Sequence, residues 1–419
     1  MDKFSIEGPS RIRGEVEISG SKNSSLPILA ATLLFNKPVV VKNLPRVKDI
    51  NTMINLLRSL GSKIILSKDR RIAKIHNKKK LKTFASYSLV KTMRGSILVL
   101  GPLVARYHKS KISLPGGCLI GARPINYHLD SLKKLGMKYV LKDGYVLAKS
   151  KGKLKGTKIM FPRLTVGATE NSIIAACLAK GTTILKNCAI EPEIKDLTNF
   201  LMKLGCNIKW IAKRSIKIVG VKDIKQIRYS VMFDRIEAST YLIAAAITEG
   251  RLKIKNVIPN VIKTEIDILK KIGVKIVTKK KEIKVIGNKK IKSINIKTAP
   301  YPGFPTDLQA QFMVLLCKAE KESFIQENIF ENRFMHVAEL NRMGARIKIK
   351  GNKVLVKGNI TFAAAELMAT DLRASVSLIL AALTAKGRSV INRIYHLDRG
   401  YEGIEKKLKK VGAKIRRIN

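Results

Sequence analysis

Acidic residues are what this chain is short of. Thirty Asp and Glu stand against 82 Lys and Arg, giving a formal net charge of +52 over 419 residues. Aromatics make up 5% of the chain, with one Trp, and cysteines number five, at 118, 177, 188, 206 and 317. Those cysteines form no CxxC pair and are odd in number, which argues against a disulfide framework or a zinc site and for a reducing cytoplasm. The longest uncharged apolar stretches, residues 95–105 and 376–385, fall well short of the roughly 20 residues a membrane span needs. The N-terminus, Met1-Asp-Lys-Phe-Ser, shows no apolar signal segment. No His pair or Asp/Glu cluster has metal-ligand spacing, so neither a metal nor a cofactor is expected. The lysines run the whole length, and no aromatic residues are interleaved with them to suggest a base-stacking platform. The charge therefore reads as solvated surface, with no specific nucleic-acid partner and no membrane.

What is present in abundance is lysine. Twenty-three of the 82 basic residues are Arg and 59 are Lys. Where only a positive charge is needed this chain takes Lys, so arginines kept in Gly-, Asn- or Asp-rich turns are candidates for bidentate anion recognition.

One phrase recurs: a helix tail, a Gly, then a short alternating strand. The glycines are 61, 136, 205, 273, 344 and 412, spaced by about 70 residues. A Gly just past the last apolar helical position is a left-handed helix end, and alternation after it reads as strand. Small-residue apolar segments at 26–34, 95–105, 171–179, 238–247, 309–318 and 374–385 precede these phrases and suit buried helices. The reading is α/β, with six units arranged as three plus three in two similar domains. One domain is expected to cover 22–232, the other 1–21 with 233–419, and a crevice between such domains is the default ligand site.

Charged turns stand before or after these helices and strands. Ser21-Lys22-Asn23 opens the first buried helix, where free N–H groups and a lysine welcome an anion. Lys91-Thr-Met-Arg94 and Arg163-Leu-Thr-Val166 hold matching positions. Pro305-Thr-Asp307, Glu331-Asn-Arg333, Thr370-Asp371-Leu-Arg373 and Asp398-Arg399-Gly place an acid within a few residues of an Arg or a helix start. Each admits a simpler reading as a structural ion pair or helix cap. Ser113-Leu-Pro-Gly-Gly-Cys118-Leu-Ile-Gly-Ala-Arg123-Pro124 is a glycine- and proline-rich loop joining a thiol to a nearby guanidinium, which favours the thiolate.

Taken together, Ser21-Lys-Asn, Leu-Pro-Gly-Gly-Cys118, Gly-Ala-Arg123-Pro, Phe304-Pro-Thr-Asp307-Leu-Gln, Glu331-Asn-Arg333-Phe, Thr370-Asp-Leu-Arg373 and Asp398-Arg399-Gly-Tyr closely resemble the UDP-N-acetylglucosamine enolpyruvyl transferase family, almost end to end. The resemblance implies two inside-out α/β barrel domains, each of three repeated units, with the active site in the interdomain cleft. It implies transfer of enolpyruvate from phosphoenolpyruvate to the sugar 3′-hydroxyl by addition and elimination, in peptidoglycan synthesis. It implies a phosphoenolpyruvate site of Lys22, Asn23, Cys118, Arg123, Arg333, Arg373 and Arg399. The sugar nucleotide would meet Asn23, Arg94, Arg123, Pro124, Ile125, Asn126, Tyr127, Arg163, Leu164, Thr165, Val166, Asp307 and Ile329. Cys118 would be the general acid, alkylated by fosfomycin in this family, Asp307 the base, with Lys22 and Arg399 also catalytic. Leu98, Asn126 and Arg163 depart from the Trp, Asp and Lys that some members carry. The rivals are transfer to shikimate 3-phosphate on the same fold, and a basic RNA-binding protein of repeated α/β units. The Cys118 loop and the Arg123-Pro segment favour the UDP-sugar.

Overall fold

A computed structural model describes residues 2–116 and 124–419. Cys118 and Arg123, both singled out above, lie outside the described residues. The chain divides into two compact units. One comprises residues 20–116 and 124–232, the other 2–19 and 233–419.

Each unit is built from three four-stranded sheets and the helices they cover. The same strand order recurs six times. In the first unit, for example, Phe84–Ala85 pairs in parallel with Lys109–Ser113. That strand pairs antiparallel with Tyr145–Ser150, which takes Met137–Lys142 at its other edge. A parallel pair followed by a hairpin is what the recurring phrase encodes. All six glycines of the phrase sit at φ between 89° and 105°, a conformation that favours glycine.

The sequence order is broken at three places, where a sheet borrows a strand. Ile227–Ser230 completes the sheet of Val39–Lys42. In the other unit, Arg13–Glu17 lies parallel to Arg251–Lys255, and Lys3–Gly8 sits between Gly387–Asn392 and Lys414–Ile418. The N-terminal strands thus belong to the unit formed by the C-terminal half.

The arrangement is inside-out because the small-residue helices sit in the core. Every residue of Arg235–Ile247 and of Gln309–Leu316 is buried, and nearly all of Lys22–Ala31, Val166–Ala176 and Leu372–Ala382 is too. Ala, Ser and Gly let such helices approach closely on several sides, while the sheets turn one face outward and alternate buried with exposed residues. Among the described residues no helix is long and apolar enough to cross a membrane.

Candidate active site

In the unit of residues 20–232, helix Lys22–Ala31 starts at Ser21, whose Oγ accepts from the Ser24 N–H at 3.2 Å. Lys22 is therefore in the first turn, where its ammonium is buried and donates to Asp49 Oδ2 at 3.2 Å. A lysine taken out of water needs such a partner. Ser24 Oγ donates to Asp196 Oδ2 at 2.5 Å, and Asp196 also accepts from the Tyr229 hydroxyl and the Met232 N–H. Burial raises the Asp196 pKa against the pull of these hydrogen bonds. The turn that presents Lys22 and the half-buried Asn23 is thereby tied to helix Pro192–Leu204 and to the segment leaving the unit at Met232.

The residues expected at a sugar nucleotide begin three further helical segments of this unit. Arg94 is half-buried at the head of the 3-10 turn Arg94–Val99. Ile125 and Tyr127 pack on the core while Pro124 and Asn126 stay exposed at the start of Asn126–Lys134. Arg163 and Val166 are exposed, and Leu164 and Thr165 half-buried, ahead of Val166–Ala176. These starts are fixed relative to one another by Asn171. Its Oδ1 accepts from the Gly101 N–H at 2.9 Å, and its Nδ2 donates to the Ile97 carbonyl and lies 3.2 Å from His128 Nδ1. A Cβ on Gly167 would lie 2.9 Å from the His128 ring, so this close approach requires glycine.

The other unit gathers its charges more tightly. Asp307 lies in the 3-10 turn Thr306–Leu308, and the following helix has no side-chain cap. Its Oδ1 accepts from Arg333 Nη2 at 2.8 Å and its Oδ2 from Arg373 Nε at 3.1 Å. Both arginine side chains are almost fully buried, at 6% and 4% exposure, and Asp307 is the more open partner at 27%. Arg333 Nη1 donates to Thr306 Oγ1, which donates to Glu327 Oε2. Glu327, itself buried, also accepts from the Thr298 hydroxyl and from the N–H groups of Ile329 and Phe330, shaping the turn that carries Ile329. Asp371 caps helix Leu372–Ala382 by accepting from the Arg373 and Ala374 N–H groups. Burial works against the Arg373 charge, but Tyr401, Asp307 and Asp234 outweigh it and its pKa is raised. Buried His336, near Asp371 and Arg333, is pushed down to about 4 by desolvation.

Sequence reasoning placed Asp307, Arg333 and Arg373 in one site, and the fold brings them into direct contact. Arg399 is half-buried at the end of Ile394–Arg399, and its neighbour Asp398 is held by Arg417 at 2.6 Å. For Asp398 the structural ion-pair reading holds. Asp49, Asp196 and Glu327 were missed, because a buried carboxylate on a helix or strand has no local signature until its donors are known.

The EPSP synthase (3-phosphoshikimate 1-carboxyvinyltransferase) family matches residues 6–408, nearly the whole chain. The chain belongs to the enolpyruvyl transferase family. This enolpyruvyl transferase is 68% identical over 419 residues to the UDP-N-acetylglucosamine 1-carboxyvinyltransferase of Pelagibacter ubique (strain HTCC1062), covering 100% of both chains. It is 50% identical, again over 100% of both, to the protein of that name from Endomicrobium trichonymphae. Among solved structures, the enolpyruvyl transferase NikO from Streptomyces tendae matches with a TM-score of 0.89 at 24% identity, over 99% of this chain and 98% of that one. EPSP synthase from Acinetobacter baumannii follows at 0.77 and 18% identity, over 100% of both. At such identities these two matches show the shared fold.

The enolpyruvyl transferase keeps its other thiols out of reach. Cys177, Cys188, Cys206 and Cys317 are all free and buried. Burial pushes Cys188 and Cys317 up to about 12, and Cys177 is raised by its hydrogen bond with Cys206 and by burial. Such thiols supply little thiolate at neutral pH.

Proposed function

We infer that this chain transfers the enolpyruvyl group of phosphoenolpyruvate to the 3′-hydroxyl of UDP-N-acetylglucosamine and releases phosphate, in the cytoplasm and in the service of peptidoglycan synthesis. The observation that carries the reading is 68% identity over the full length to a protein named for that reaction, with the Leu-Pro-Gly-Gly-Cys118 sequence present in this chain.

Asp307 receives the 3′-hydroxyl proton as the hydroxyl oxygen bonds to C2 of phosphoenolpyruvate, and Cys118 delivers a proton to C3. The tetrahedral adduct then returns a C3 proton to the Cys118 thiolate, the C2–O bond to phosphate breaks, and the double bond re-forms. Arg333 and Arg373 hold the Asp307 carboxylate in position for that role. Lys22, Asn23, Arg123 and Arg399 hold the phosphate and carboxylate of phosphoenolpyruvate, together with the N–H groups that Arg333 and Arg373 do not spend on Asp307. Cations already in place stabilise the charge that develops on the leaving phosphate. Arg94, Pro124, Ile125, Asn126, Tyr127, Arg163, Leu164, Thr165, Val166 and Ile329 line the path of the sugar nucleotide.

The test is phosphate release from phosphoenolpyruvate by the purified chain, offered UDP-N-acetylglucosamine or shikimate 3-phosphate. Turnover with the sugar nucleotide alone is expected, and turnover with shikimate 3-phosphate alone overturns the reading. Fosfomycin should add one equivalent of mass to the intact protein and none to Cys118→Ser. Cys118→Asp should keep activity and escape the drug, because a carboxyl donates a proton but is not alkylated as a thiol is.

A further inference from the structure

The outward face of the sheet formed by Phe84–Ala85, Lys109–Ser113, Tyr145–Ser150 and Met137–Lys142 differs from the other five. Register sets Lys109 opposite Lys149 and Lys149 opposite Lys138, three like charges abreast. Neighbouring strands lie roughly 4.8 Å apart, and like charges directly opposite are destabilising. On two other sheets carboxylates relieve such crowding, with Glu15 and Glu282 paired to Lys253 and Glu7 to Lys414, and where lysines face each other without a carboxylate, as Lys209 faces Lys217 and Lys350 faces Lys353, they do so in twos. Here no described carboxylate pairs with any of the three lysines.

The next row on this face holds Phe84 opposite Lys111. The Phe84 and Tyr145 rings stack at 5.8 Å between centroids and 29° between planes, and the Lys111 ammonium sits 5.4 Å and 4.9 Å from them. Phe84 is 47% exposed, as Phe324 is on another sheet, but among the described residues Phe84 alone of the two has a ring stacked beside it. Among the described residues this is the one sheet whose outward face carries two aromatic rings. The rings are far apart in the chain, which is why no interleaving is visible in the sequence.

We propose that this sheet face binds single-stranded nucleic acid without sequence preference: bases stack on Phe84 and Tyr145, and Lys109, Lys138 and Lys149 meet the phosphates. Paired rings beside unneutralised lysines on an open sheet are the two elements such binding uses. Lys111, on a flexible stem, moves from the rings to a phosphate as a base arrives. An anionic membrane is the less favoured partner, since the rings lie against each other under an ammonium and the exposed Val140 is flanked by Lys138 and Lys142 on its own strand.

The probe is a fluorescein-labelled 15-nucleotide oligo-dT, read by anisotropy against the full chain at several salt concentrations. Phe84→Ala should weaken binding roughly 5- to 100-fold, as loss of one stacking ring does, and Phe84→Trp should retain it. The combined Lys109→Gln, Lys138→Gln and Lys149→Gln change should weaken binding and flatten the salt slope by about 2. A matched triple on a neighbouring sheet, Lys158→Gln, Lys209→Gln and Lys217→Gln, removes the same charge without rings. Equal loss from both triples, or no loss from Phe84→Ala in a protein with unchanged melting temperature, overturns the proposal in favour of diffuse charge. Phosphatidylglycerol vesicles that bind more tightly than the oligonucleotide, and lose binding with Phe84→Ala, overturn it in favour of a membrane.

Discussion

The two units repeat one α/β pattern three times each but hold their charges differently. In the unit of residues 20–232, the buried charges among the described residues are mostly acids. Asp196 is satisfied by hydroxyl and N–H donors, and buried Glu170 stands near Glu191 and Glu193. Of its expected substrate cations, Arg163 is exposed, Arg94 is half-buried and Lys22 is held by Asp49. In the other unit, two buried arginines share a single carboxylate, Asp307, and a histidine is buried beside them. The difference follows from the side chains. A guanidinium offers five donors in a plane, so it stays satisfied in the core while one edge remains for a ligand, whereas an ammonium is buried only with difficulty.

The largest expected effect tests whether Asp307 is more than a clamp for two arginines. Asp307→Asn keeps the shape and one acceptor but removes the base. Turnover should fall roughly 10²- to 10⁴-fold, with sugar-nucleotide binding and melting temperature nearly unchanged. If the residue only orders Arg333 and Arg373, the KM for phosphoenolpyruvate rises and kcat holds.

A smaller effect is expected from Arg399→Lys, which keeps the charge and loses the fork. The KM for phosphoenolpyruvate should rise about 10-fold with little change in kcat. An unchanged KM would remove Arg399 from the anion site.

The smallest effects concern acid stability and set the units against each other. His336 has a depressed pKa, so the unfolded chain takes up its proton first as pH falls. Its stabilising contribution is lost between about pH 6.5 and about 4, and amounts to about 3 kcal/mol at most. His336→Gln should flatten the fall in melting temperature over that window. Glu170 behaves in the opposite sense. Burial, and then Glu193 and Glu191, raise its pKa, so the unfolded chain gives up its proton first and stability drops as pH rises from the ordinary carboxylate range toward that raised value. Glu170→Gln should therefore melt higher than the parent by a margin that grows from pH 5 to pH 8. Parallel pH profiles for both variants would erase the contrast.

The repeat itself was legible. Six glycines at the ends of apolar helices, followed by alternating strands, specify the units, and each glycine adopts the left-handed conformation its position implies. Candidate site residues were legible in the same way, because Arg is rare enough here for its placement in turns to stand out. The strand exchanges were less so, since the partner of Lys3–Gly8 lies more than 370 residues away and a short strand does not name its neighbour.

By itself, then, the sequence determined the α/β unit, its sixfold recurrence and which turns carry residue types suited to an anion. These depend on local spacing, helix ends and side-chain chemistry, all of which act over a few residues. Only the tertiary structure decided that Arg333 and Arg373 close on the same carboxylate, that Asp196 anchors the turn of Lys22, and that Phe84 and Tyr145 share a face with uncompensated lysines. Those arrangements depend on strand register and helix packing between distant segments, and register sets which side chains meet only after the sheets have formed.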